Sequence, residues 1–171
     1  INSFVGNVYV SVGQGTNTIA YSANGTEWIG TGTTVFGTSG SGITTNGSTI
    51  LAVGTGTNKI AYTTDGVSWT TVSGIFTTSG NNVLYSNNLW VAVGSGTNSL
   101  AYSSNGAVWT GVGTTIFQNG NGISFGNSTW VAVANKDQTR LTIATGYSTS
   151  YPLAYSYDNL TWTGYATTFF T

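Results

Sequence analysis

The sequence predicts an all-β chain: a β-propeller of four-stranded antiparallel blades of about 40 residues, with four blades in this chain. Three observations carry that expectation. The first is repetition. The stretch WVAVGSGTNSLAYSSNGAVWTGVGTTIF at 90–117 occurs upstream as ILAVGTGTNKIAYTTDGVSWTTVSGIF from Ile50 and as YVSVGQGTNTIAYSANGTEWIGTGTTVF from Tyr9. A looser copy starts at Trp130 with WVAVA and resumes at Leu153 with LAYSYDNLTWTGYATTFF. The second is punctuation: each unit of 40 to 41 residues breaks into four short apolar runs separated by Gly, Asn and Ser. The third is that both side-chain sets of the second run are apolar. Trp90 and Ala92 point one way and Val91 and Val93 the other, which means a sheet covered on both faces.

In chain order the units are approximately 1–40, 41–80, 81–120 and 121–171. In the third, the expected strands are Val83-Leu84-Tyr85, Trp90 to Val93, Leu100-Ala101-Tyr102 and Val108 to Val112. Asn-Gly at 24–25 and 105–106 and Asp-Gly at 65–66 suit two-residue hairpin turns, where both residues take positive φ. Nothing has the period of an amphipathic helix. A parallel β-helix is the competing architecture, but its coils are shorter and need no paired hairpins. The chain opens on a first-strand equivalent and closes after a fourth-strand one, so it holds whole units. With Ile1 first and no Met, it is expected to be a processed product or a piece of a longer polypeptide, in which case the parent ring is larger.

Composition excludes more than it identifies. Three basic and four acidic residues in 171 leave a net charge of −1, against about 25% charged residues in ordinary soluble domains. That gives no electrostatic basis for nucleic-acid binding or for an anionic membrane. No apolar run approaches the ~18 residues of a membrane span. Without cysteine or histidine there is no thiolate metal site and no nucleophilic triad, and no cofactor or metal is expected. A surface dominated by Ser, Thr, Asn and Gly suits an extracellular or virion-surface protein, whose partners would be a glycan or another protein of a surface assembly, with a homo-oligomer also compatible.

One hairpin recurs in every unit as S/T-x-N/D-G-x-x-W. It comprises Ser22, Asn24, Gly25 and Trp28; then Thr63, Asp65, Gly66 and Trp69; then Ser103, Asn105, Gly106 and Trp109; and finally Ser156, Asp158 and Trp162, with Asn159 in place of glycine. This resembles the Asp-box (BNR) repeat of sialidase-type and several other propellers, and the Thr63–Trp69 version matches most closely. The resemblance implies a propeller in which the box is a fold element rather than the catalytic site. Local chemistry agrees: the Asx side chain closes the turn onto backbone N–H groups and Trp anchors the hairpin in the core. A sialidase-like hydrolase is the alternative function. Such enzymes resemble one another in three arginines clamping a carboxylate, a Tyr–Glu nucleophile pair and an acidic donor. Here Arg140 is the only arginine and Glu27 the only glutamate, so a non-enzymatic binding or structural module is expected.

Candidate binding residues fall in two places. The loop Gly-x-Gly-Thr-Asn, at 13–17, 54–58 and 94–98, repeats the polar pairs Thr16 and Asn17, Thr57 and Asn58, and Thr97 and Asn98. It reads as a hairpin connection, or as a multivalent site for sugar hydroxyls. The second place is an insertion in the last unit, 135–152. There 21 positions separate Val133 from Ala154, where 8 separate Val93 from Ala101. It brings Lys136, Asp137, Arg140, Tyr147 and Tyr151, and any individual specificity is expected in it, since long excursions on rigid scaffolds carry function. The other reading is a hairpin extension, because Leu141-Thr142-Ile143 alternates as a strand does. Sequons at Asn24, Asn46, Asn127 and Asn159 are possible glycosylation sites.

Overall fold

The computed structural model describes residues 2–5, 8–135, 142–145, 153–156 and 163–165, and side chains within 8–135. The protein is all-β as the sequence predicts, and no helix occurs among the described residues. In particular, no helix there is long and apolar enough to cross a membrane. Residues 1–136 and 137–171 form two compact units.

The first unit repeats one antiparallel meander. Strands β1 (Asn2–Val5), β2 (Val8–Val12), β3 (Ile19–Ser22) and β4 (Ile29–Gly30) pair in that order. The same succession follows in β5 (Ser39–Thr45), β6 (Ile50–Thr55), β7 (Ile60–Thr63) and β8 (Thr70–Val72). It follows again in β9 (Ser79–Ser86), β10 (Leu89–Ser95), β11 (Leu100–Ser103) and β12 (Thr110–Gly111). A hairpin of β13 (Asn119–Gly126) and β14 (Thr129–Asn135) ends the unit. Single residue pairs, Thr55↔Ser79 and Ser95↔Asn119, join the later meanders into one ten-stranded sheet.

Meanders bury their faces against each other, which explains the doubly apolar strands. On β6, Ile50 and Ala52 belong to one buried cluster with Val10, Ile19 and Phe36. Leu51 and Val53 belong to another with Val83, Trp90, Ala92 and Trp109. One strand thus closes two cores, and each meander is stable only with its neighbours. Close approach at these junctions is made by glycines at a strict spacing. A Cβ on Gly40, Gly80 or Gly120 would lie 2.6, 2.8 or 2.7 Å from the Cβ of Val12, Val53 or Val93 of the preceding meander.

Two details depart from the sequence reading. Positive φ on both turn residues occurs at Asn87 and Asn88 (47° and 57°) and at Asn127 and Ser128 (49° and 59°). Those are the two-residue hairpins. At the Asn-Gly and Asp-Gly steps only the glycine has positive φ, 79° at Gly25 and 78° at Gly66 and Gly106. The reason is that the Asx side chain, rather than a tight backbone turn, closes a longer loop. For the same reason the fourth strand of the third meander is only Thr110–Gly111, and Val108, expected within it, is 73% exposed.

In the second unit, β15 (Thr142–Thr145), β16 (Leu153–Ser156) and β17 (Thr163–Tyr165) form a three-stranded antiparallel sheet. By analogy with Trp90–Val93 and Leu100–Ser103, the repeat would set Leu153–Ser156 beside Trp130–Val133. Instead β16 pairs with β15, in the register Thr142↔Ser156 to Thr145↔Leu153. That register matches Trp90↔Ser103 to Val93↔Leu100 in the third meander. The insertion therefore contains a strand of its own, as its alternation allows, and that strand takes the place next to LAYS.

Candidate functional site

The box hairpins are built from a buried hydroxyl and an Asx acceptor. Ser22, Thr63 and Ser103 are buried at the ends of their strands. Ser103 Oγ accepts from the N–H of Gly106 at 2.8 Å and of Asn105 at 3.3 Å. Asn105 Oδ1 in turn accepts from the N–H of Ala107 (3.0 Å) and Val108 (2.9 Å). Asn24 does the same for Thr26 and Glu27, both at 2.9 Å. Asp65 accepts from Val67 N–H at 2.8 Å, Ser68 N–H at 2.7 Å and the Thr63 hydroxyl at 2.8 Å.

These donors, Ser68 N–H foremost, hold the Asp65 carboxyl far below its ordinary value of 3.8. A group so placed stays ionised and is a turn acceptor rather than a proton donor. The folded-state value lies below the unfolded one, so the stabilisation is present at neutral pH and is lost as pH falls below that ordinary value. Asp65→Asn should keep the turn, since Asn24 and Asn105 make the same bonds, and should remove this acid-sensitive part. Urea midpoints at pH 7 and pH 3 check it: the wild-type midpoint should fall further on acidification than that of the variant.

The box tryptophans differ although their wording is the same. Trp109 is buried, and its Nε1 donates to Gly106 O at 2.9 Å. Trp69 is half-buried against the Val10 cluster, and its Nε1 has no acceptor among the described residues. Trp28 is 39% exposed, with Nε1 on Gly25 O at 3.2 Å, so the expectation of a core tryptophan does not hold there. Trp69 and Trp109 pack on the preceding meander, and the first meander has none before it among the described residues.

The Gly-x-Gly-Thr-Asn loops are hairpin connections whose asparagines staple segments together. Asn98 Nδ2 donates to Ile75 O at 2.7 Å, and its Oδ1 accepts from Gly113 N–H at 2.9 Å. Asn58 Nδ2 donates to Val35 O at 2.8 Å. Asn17 Oδ1 accepts from Gly32 N–H at 2.8 Å. The threonines beside them, Thr16, Thr57 and Thr97, are exposed, and Thr97 is bonded through its N–H and hydroxyl to Thr77 Oγ1. Sequence reasoning named these asparagines as ligand-binding candidates and missed the stapling, because the carbonyls that Asn58 and Asn98 reach sit 23 residues upstream, on the linker before the meander.

Of the sequon asparagines, Asn46 caps the β5–β6 turn, accepting from Ser48 and Thr49 N–H, and Asn127 lies exposed in the β13–β14 turn. Lys136, Asp137, Arg140, Tyr147, Tyr151, Asp158, Asn159 and Trp162 lie outside the described residues, as does the side chain of Ser156. Between β10–β11 and β13–β14 is a cavity of about 240 Å³ lined by Leu89, Val91, Leu100, Tyr102, Ile123, Trp130 and Ala132. Its apolar walls offer a sugar little beyond the Tyr102 hydroxyl. Among the described residues no three His, Cys, Asp or Glu side chains gather. No protein-family model matches this chain, and comparison with curated proteins likewise finds no match.

Proposed function

We propose that this chain is a non-enzymatic β-propeller module with four blades in this chain, displayed outside the cell or on a particle surface, which binds glycan through its repeated loops. The observation that carries this reading is how the polar side chains of the repeats are used. The Asp65 carboxylate and the Asn24 and Asn105 side-chain carbonyls are hydrogen-bonded to backbone N–H groups of their own turns. Among the side chains left exposed are the threonines of the repeated loops, Thr16, Thr57 and Thr97. Threonines recurring once per repeat suit weak contacts to sugar hydroxyls that gain by repetition. The stacking of meanders through doubly apolar strands supports a propeller, as does the likeness of the hairpins to the Asp-box.

A purely structural scaffold is the second reading, favoured by the staples of Asn58 and Asn98. A glycan array separates the two. Binding to at least one glycan class, weakened ~tenfold or more in Thr16→Val/Thr57→Val/Thr97→Val, is expected. No retained glycan would favour the scaffold. Turnover of a fluorogenic sialoside above a buffer blank would overturn the non-enzymatic reading.

A further inference from the structure

One contact recurs inside residues 8–135. Each meander has a head, carrying the box glycine, the box tryptophan and the stapling asparagine, and a tail, the outward side of its second strand. A Cβ on Gly66 would meet Val8 and Val10, and one on Gly106 would meet Leu51. Trp69 and Trp109 enter the clusters so formed. Asn58 and Asn98 then take a carbonyl from the linker that leaves the preceding meander.

Among the described residues, two ends of this series are uncovered. At the first head, Trp28 is 39% exposed, and among the described residues Asn17 Nδ2 donates only to Thr16 Oγ1 of its own loop, at 3.4 Å. Among the described residues nothing lies within 4 Å of a Cβ placed on Gly13, whereas its counterparts Gly54 and Gly94 meet Phe36 and Phe76 of the preceding linkers. At the last tail, Val131 and Val133 are 53% and 59% exposed. Their counterparts Leu51 and Val53 are fully buried. Both ends are uncovered among the described residues, so residues 8–135 do not bring their own head and tail together.

We propose that a second copy does so: the Val131–Val133 face of one chain receives the Trp28 hairpin of another, head to tail, by the contact already made twice within the chain. The contact is heterologous, so it closes into a ring or runs on. It stands whether or not the loops bind glycan.

Light scattering coupled to size-exclusion chromatography at micromolar concentration tests it. The wild type should have the mass of two or more 17.7 kDa chains. Trp28→Glu has a spoiled head, and Val131→Glu/Val133→Glu a spoiled tail, so each alone should have the mass of one chain. Mixed, they should form pairs and nothing larger, because each supplies the face that the other lacks. A single-chain mass for the wild type overturns the proposal. So does association abolished by one variant and untouched by the other, which marks a symmetric contact. Far-UV circular dichroism establishes that the variants fold, with Trp28→Ser and Val131→Thr/Val133→Thr as milder replacements where glutamate disrupts the sheet.

Discussion

Replacing Trp90 with alanine should destabilise the protein more than any other single truncation of a side chain. Trp90 is 1% exposed, sits 4.6 Å centroid to centroid from Tyr85, and belongs to the cluster that joins the second and third meanders. Emptying such a site costs about 3–5 kcal/mol, transfer and cavity terms together. Whole domains are stable by only about 5–15 kcal/mol. Thermal and urea denaturation followed by circular dichroism should show a large fall in both midpoints. Trp28→Ala provides the contrast, since that ring is already 39% exposed and leaves a smaller cavity. Equal losses at the two positions would mean that the junction between meanders is not the seat of stability.

Gly94→Ala should also be severe. The added Cβ would lie 2.2 Å from the carbonyl oxygen of Ser79 and 2.8 Å from Phe76 Cδ1. Neither neighbour yields easily, because Ser79 is held in the β9–β10 ladder opposite Ser95 and Phe76 is buried. Overpacking of this kind costs about 1–3 kcal/mol, or more where backbone must move. Gly13→Ala, at the same place in the first repeat, meets nothing within 4 Å among the described residues. Its φ is not one of the positive values, so it should be neutral, or stabilising by about 0.4–1 kcal/mol through the unfolded chain. Two identical substitutions in identical wording should thus differ in sign or by several degrees in Tm, and matching Tm values would contradict the junction geometry.

That pair shows what sequence can and cannot convey. The repeat places strands well because turn residues and apolar runs are local signals, and the doubly apolar Ile50–Val53 run correctly implies burial on both faces. The fate of Trp28 was not legible, since its burial depends on what stands in front of it rather than on its own hairpin. Nor was the turn geometry. Asn105-Gly106 and Asn87-Asn88 are both good turn dipeptides, and what separates them is Ser103, whose hydroxyl starts an Asx-closed loop. The partner of Leu153–Ser156 was ambiguous for a physical reason: Thr142–Thr145 and Trp130–Val133 are both short runs able to form a strand, and strand pairing is non-local. The glycines at 40, 80 and 120 were readable, being spaced by one repeat, but close approach leaves no mark until the neighbouring strand is known. In the candidate loops the repeated Thr-Asn pairs stood out as polar and recurrent, while the staple was hidden in distant carbonyls.

The junction glycines have a consequence for how such a chain can change over generations. Gly40, Gly80 and Gly120 each meet a valine at the same place in the meander before, so a junction does not depend on which two repeats flank it. Misaligned recombination between two copies of the coding repeat would delete or add one whole unit. Every glycine that remained would still face a valine, and the offspring chain would differ in the number of its cores rather than in their design.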